Sequence, residues 1–182
     1  MNHNVVCGLD LSLTSSGVVV MNGEEVVTKL VKTKTDTYPN SLARVEFIAD
    51  TILGVVQNYK PGLIAVEDYF SGRNPKVVIM LCELGTIVRF KLLKAGFPFI
   101  SVAPTQLKKY CYGSGGGGKE HVLKGIFKKW GIDVNSNDIA DAYVLAHMAR
   151  SLVKAIDQVP QQLLRYEQEV VDKILLERSV VR

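Results

Sequence analysis

Long apolar runs are missing from this 182-residue chain. No stretch approaches the ~20 apolar residues that a membrane-spanning helix requires, so no membrane partner is expected. The opening residues, MNHNVVCGLDL, carry neither a charged leader region nor a small-residue cleavage site, and no secretory signal is predicted. Cysteine is scarce: Cys7, Cys82 and Cys111 lie far apart, are odd in number and include no CxxC pair. That pattern excludes a disulfide framework and disfavours zinc, and it predicts reduced thiols in a cytoplasmic protein. Low-complexity sequence is confined to one glycine tract, and no internal repeat is found. What remains is an ordinary globular composition, 47% hydrophobic and 22% charged, enough for one domain with a proper core.

Acid is also missing from one long stretch. Between Arg89 and Lys129 there are nine basic residues and a single acid, Glu120, although the whole chain carries only +4. The rest of the chain is therefore acidic overall. A basic segment inside an acidic protein predicts a polyanionic partner; a solvated lysine-rich face is the plainer alternative.

The apolar pattern orders the elements. NVVCGLDL (4–11) and SGVVVM (16–21) read as strands, and Asn22-Gly23 then turns the chain into a third, EEVVTKLVKT (24–33). Leu42, Val45, Ala49, Ile52 and Val56 recur at helical spacing and predict an amphipathic helix ending near Lys60-Pro61-Gly62. LIAVE (63–67) reads as a covered strand, 76–95 as a helix after Pro75, and PFISVA (98–103) as a fifth strand. TQLKKYCY, a segment from Lys119 to about Trp130, and NSNDIADAYVLAHMARSLVKAI follow as helices. The order predicts an α/β fold with a mixed five-stranded sheet flanked by helices on both faces. One domain is assigned to 1–158, and 159–182 is read as a C-terminal helical extension.

The segment GSGGGGKEH (113–121) spells most of an NTPase phosphate loop, but its context does not fit. Such a loop should leave a buried strand, yet LKKYCY precedes it; its lysine should be followed by Ser or Thr, yet Glu120 stands there. A glycine loop ending in a lysine at a helix start suits instead a clamp for a nucleic-acid phosphate.

Four carboxylates stand at positions where α/β proteins gather their sites. Asp10 and Glu67 each close an apolar strand, and Asp138 and Asp141 lie three apart on one face near a helix start. Singly, each has a plain reading as a turn or helix-dipole residue. Gathered together, each close pair would repel by roughly 4 kcal/mol at about 4 Å and an effective dielectric near 20. Such a cluster needs cations or proton uptake, and all-oxygen donors suit Mg²⁺ or Mn²⁺.

These residues lie in motifs. GLDLSLTSSG, AVEDYF, TQLKKYCYGSGGGGKEHV and NDIADAYVLA occur in that order between residues 4 and 150. Together they resemble the Holliday-junction resolvases of the RuvC family, within the RNase H-like superfamily, bacterial and bacteriophage members alike. The resemblance implies a metal-dependent endonuclease that cuts branched DNA as a homodimer. Asp10, Glu67, Asp138 and Asp141 would hold two Mg²⁺ ions, with Mn²⁺ as a substitute. Lys119 would act near the scissile phosphate, Lys108 or Lys109 on the DNA backbone, and Phe70 or Tyr69 on junction bases, with Arg73 and Lys76 as further DNA contacts. The family's dimer contact would fall on the helix at 76–95, whose Val77, Leu81, Leu84 and Val88 suit core and dimer packing equally. Ser12 departs from the family's usual glycine after the first Asp. Nucleases of RNA–DNA hybrid or flaps, an actin-like ATPase fragment and a non-catalytic junction-binding module stay open as alternatives.

Overall fold

The computed structural model describes residues 2–69, 74–177 and 180–181, and the side chains of 2, 3, 119, 180 and 181 lie outside the description. Three strands open the chain as an antiparallel meander: β1 (Asn2–Asp10), β2 (Ser15–Asn22) and β3 (Glu25–Lys32). Helix α1 (Ser41–Tyr59) then leads to β4 (Pro61–Glu67), and α2 (Pro75–Lys94) to β5 (Phe99–Val102). Helices α3 (Pro104–Tyr112), α4 (Lys119–Trp130), α5 (Asn137–Ile156) and α6 (Arg165–Leu176) follow, and the two-residue strand β6 (Val180–Val181) comes last. Among the described residues the strands form one sheet in the order β3-β2-β1-β4-β5-β6. The core strands β1, β4 and β5 run parallel; β2, β3 and β6 run antiparallel to their neighbours. The mixed sheet is thus as the apolar pattern indicated, with one short strand added at its edge by the tail.

Strand alternation divides the core in two. Val5, Cys7, Leu9, Ile64 and Val66 face α1 and α2, against Val45, Ile48, Ile52, Leu84, Val88 and Leu92. Val6, Leu63, Ala65, Ile100 and Val102 face the other way, toward α3, α4, α5 and α6. Four of the five α1 stripe residues are at most 1% exposed; Leu42, in the first turn, is 59% exposed. Asn40 caps α1 by accepting from the Ala43 amide at 2.9 Å.

The segment 159–182, in which the sequence showed no core role, contributes to the second core. Val170, Val171 and Ile174 of α6 are 1–2% exposed. Glu167, itself buried, pairs with Lys129 of α4 and also accepts from the Leu164 amide at the start of α6. Among the described residues no helix is long and apolar enough to cross a membrane.

Candidate active site

Asp10 and Glu67 end neighbouring parallel strands. The register pairs Leu9 with Val66, so the two acids come next, side by side at the strand ends. Alternation turns both toward the α5 face, since Val6 and Leu63 share that face while Leu9 and Val66 face α1 and α2. Asp10 also pairs across β2 with Gly17.

Two glycines bring α5 onto this corner. A Cβ on Gly17 would sit 2.0 Å from the carbonyl oxygen of Asp138, and one on Gly8 would sit 2.0 Å from that of Ala142 and 2.5 Å from the Ala146 nitrogen. Only hydrogen fits at either position, so the helix backbone rests directly on the strands. Asp138 and Asp141, one turn apart on α5, are thereby carried to the strand ends that hold Asp10 and Glu67. Ser136 caps the helix ahead of them, its hydroxyl accepting from the Ile139 amide.

The electrostatics register the gathering. Asp10 is only 8% exposed. Burial pushes its pKa well above the usual carboxylate range; the charges of Glu67 and Asp141, a hydrogen bond with Glu67, and the charge of Asp138 push it the same way. The four acids therefore act on one another as a single cluster around Asp10. Among the described residues no three His, Cys, Asp or Glu side chains form a ready-made cage for a metal ion. The donor set nevertheless fits a hard cation, because every one of its donors is a carboxylate oxygen.

The loop after Asp10 is closed by its own hydroxyls. The Ser16 hydroxyl donates to the Ser12 carbonyl at 2.7 Å and accepts from the Ser12 amide at 3.0 Å, and the Ser12 hydroxyl accepts from the Thr14 amide at 3.3 Å, so the serine side chain, where the resembled family has glycine, has its own place in the turn. The buried Arg44 of α1 braces the same loop, donating to the Leu13 carbonyl and, at 2.8 Å, to the Thr33 hydroxyl.

The basic candidates lie around this corner with partners of their own. Lys108 donates to the Gly117 carbonyl at 3.0 Å, and Tyr112 donates to that of Gly116 at 2.7 Å, so α3 holds the glycine loop from two points. That loop leaves a helix, α3, and not a strand, which removes the NTPase geometry. Lys109 pairs with Glu169 of α6 at 2.8 Å. Lys76 is exposed in the first turn of α2, where its amide donates to the Asn74 cap. Tyr69 lies against α2, its hydroxyl 3.1 Å from that of Thr86 and its ring under the Arg89 guanidinium at 4.7 Å. Phe70, Arg73 and the Lys119 side chain lie outside the described residues. Arg89 itself, counted in the sequence only as one of nine basic residues, reaches the backbone of Glu67.

A parallel β1-β4-β5 core, an antiparallel hairpin beside it and a helix laid across the acid-bearing strand ends define an RNase H-like α/β protein. A family model described as Crossover junction endodeoxyribonuclease RuvC matches residues 6–149, and the chain belongs to that family. The RuvC of Prochlorococcus marinus is 28% identical over 154 residues, covering 78% of this chain and 95% of the relative. The solved structure of Thermus thermophilus RuvC superposes with a TM-score of 0.67 at 25% identity, covering 85% of this chain and 97% of the other. A structure titled T. thermophilus RuvC in complex with Holliday junction substrate gives the same TM-score at 23% identity, over 85% and 96% of the two chains.

Proposed function

We propose that this chain is a structure-selective endodeoxyribonuclease that resolves four-way and other branched DNA junctions by paired nicks, leaving 5′-phosphate and 3′-hydroxyl ends. The observation that carries the reading is the buried Asp10, held at a strand end among three further carboxylates from two other elements. Asp10, Glu67, Asp138 and Asp141 would hold two Mg²⁺ ions, with Mn²⁺ as a substitute. When bound, such ions activate the attacking water and stabilise the leaving oxygen.

The chain's own groups do the rest. Asp10 and Glu67 at the strand ends, with Asp138 and Asp141 on α5, would fix where such ions and the phosphate they bind could sit. Lys119, at the first position of α4, supplies positive charge near the scissile phosphate, and the α4 N-terminus adds its dipole. Lys108 and Lys109 would exchange a carbonyl and an exposed carboxylate for DNA phosphates, at small cost because exposed pairs contribute only ~0–1 kcal/mol. Phe70 or Tyr69 would stack on junction bases, and Arg73 and Lys76 would contact the backbone nearby.

A homodimer would place one such site on each of two strands. Leu84 and Val88 are buried against the sheet, so they belong to the core; Ile79, Phe90 and Leu93 are 41–59% exposed on α2 and form the apolar surface available to a second copy. The test is a synthetic four-way junction incubated with Mg²⁺. Paired symmetric nicks are expected, with none from Asp10→Asn or in chelator. An uncut junction overturns the reading, and preferential cutting of RNA–DNA hybrid or flaps replaces its substrate.

A further inference from the structure

Resting on the junction-cleaving reading, we propose that Arg89 is a positioning residue for it: one guanidinium on α2 fixes the backbone of Glu67 and the two residues that follow. The Arg89 side chain is 12% exposed. Its Nη2 donates to the Glu67 carbonyl at 2.9 Å, its Nη1 to the Gly85 carbonyl at 3.2 Å, and its Nε to the Ser101 hydroxyl at 3.2 Å. The same group lies 3.6 Å from the Asp68 carboxylate and 4.7 Å above the Tyr69 ring. Residues 67, 68 and 69 are thus each held by one side chain from a neighbouring helix, and Ser101 ties that side chain to β5.

The surroundings are shaped for this contact. A Cβ on Gly85 would lie 2.6 Å from the Tyr69 ring and 2.7 Å from the Arg89 Nη1, so α2 has a notch where the two side chains pass. Glu67, Asp68, Tyr69, Gly85 and Arg89 line a cavity of about 60 Å³. Without the guanidinium, the end of β4 has room to shift into it. Only a planar fork with several donors reaches all three acceptors; a lysine ammonium supplies charge at one point. Misplacement of a reacting group by about 1 Å costs on the order of 100-fold in rate. Since each of the three guanidinium nitrogens of Arg89 donates within the protein, its loss should change turnover more than DNA affinity.

The experiment compares Arg89→Met, Arg89→Lys and Gly85→Ala with the wild type, using junction cleavage, junction affinity in chelator, and thermal stabilisation by Mn²⁺ alone. Arg89→Met is expected to lower kcat roughly 10- to 100-fold, to leave junction affinity within about twofold, and to raise the half-stabilising Mn²⁺ concentration. Arg89→Lys should recover part of the turnover, and Gly85→Ala should move kcat and Mn²⁺ response in the same direction as Arg89→Met by displacing the fork. Should Arg89→Met fail to fold, the other two variants carry the comparison. Wild-type kcat and Mn²⁺ response in the folded variants overturn the proposal, as does an equal loss of junction affinity, which would make Arg89 a DNA contact. If the wild type cuts no junction, the functional reading falls, while the Mn²⁺ response still decides whether Arg89 places Glu67.

Discussion

Replacing Asp10 by asparagine should abolish cleavage and yet stabilise the protein. Asp10 is buried, hydrogen-bonded to Glu67, and close enough to Asp138 and Asp141 for their charges to act on it. Two carboxylates at about 4 Å repel by roughly 4 kcal/mol at an effective dielectric near 20. Taking roughly half of this as relieved by asparagine at alkaline pH gives about 2 kcal/mol. For a domain of this size that corresponds to a rise in Tm of about 4–8 °C. The sign follows from the direction of the shift. The folded-state pKa of Asp10 is raised above its unfolded value, so its contribution is fully present below the ordinary carboxylate range and is lost as pH rises through the raised value. The asparagine variant escapes that loss. Its advantage should be large at alkaline pH in chelator, shrink on acidification, and vanish below about pH 3, where Asp10 is protonated in both states. Millimolar Mg²⁺ should also narrow the gap by stabilising the wild type alone. Thermal melts of both proteins across pH, with and without Mg²⁺, measure all of this. A variant less stable than wild type at alkaline pH, or one with the same advantage below about pH 3, would refute the idea that repulsion among these acids strains the fold.

The other expectations concern how the site is held in place. Gly17→Ala drives a Cβ to 2.0 Å from the Asp138 carbonyl oxygen, a backbone atom that no rotamer change can move. About 3 kcal/mol of destabilisation is expected, with Tm lower by ~6–12 °C and cleavage reduced even where the protein is folded; wild-type melting and cutting would count against the close approach. Removal of residues 159–182 strips Val170, Val171 and Ile174 from the core and leaves Lys129 without Glu167. At about 1.5–3 kcal/mol per buried aliphatic side chain, the loss matches much of a domain's whole stability, so no cooperative melt is expected by circular dichroism. A truncated chain that melts within a few degrees of the full-length protein would show that the tail is dispensable.

The elements of the sheet were legible because their signals are local. The apolar run LIAV ahead of Glu67, a stripe at Val45, Ala49, Ile52 and Val56, and Asn22-Gly23 at a hairpin each act within a few residues of themselves. The tail was not legible for the opposite reason. The apolar residues of α6 mark an amphipathic helix, but nothing nearby says that the surface they cover belongs to α3 and α5, up to some sixty residues earlier. The partner of Lys109 was hidden in the same way, since only the packing of α6 brings Glu169 to it. Arg89 was hidden because a basic residue in a basic stretch looks like solvated charge. Only the crossing of α2 over the end of β4 shows its donors turned inward.

The positions of the four acids were legible, but their meeting was not a matter of the acids at all. Carboxylates repel, and none of them can recruit another. What brings them together is uncharged: β1 and β4 lie in register because Leu9 and Val66 pair, and α5 lies against β1 and β2 because Gly8 and Gly17 leave no side chain between backbone and backbone. The apolar face of α5, from Ala142 through Leu152, then holds the helix there. A helix so placed is fixed in height and rotation before any cation arrives, so its N-terminal end presents Asp138 and Asp141 whether or not a cation is bound. Changes to the acids should therefore alter chemistry and relieve strain with the fold intact, whereas changes as small as one methyl group at the two glycines should dismantle the site by moving its scaffold.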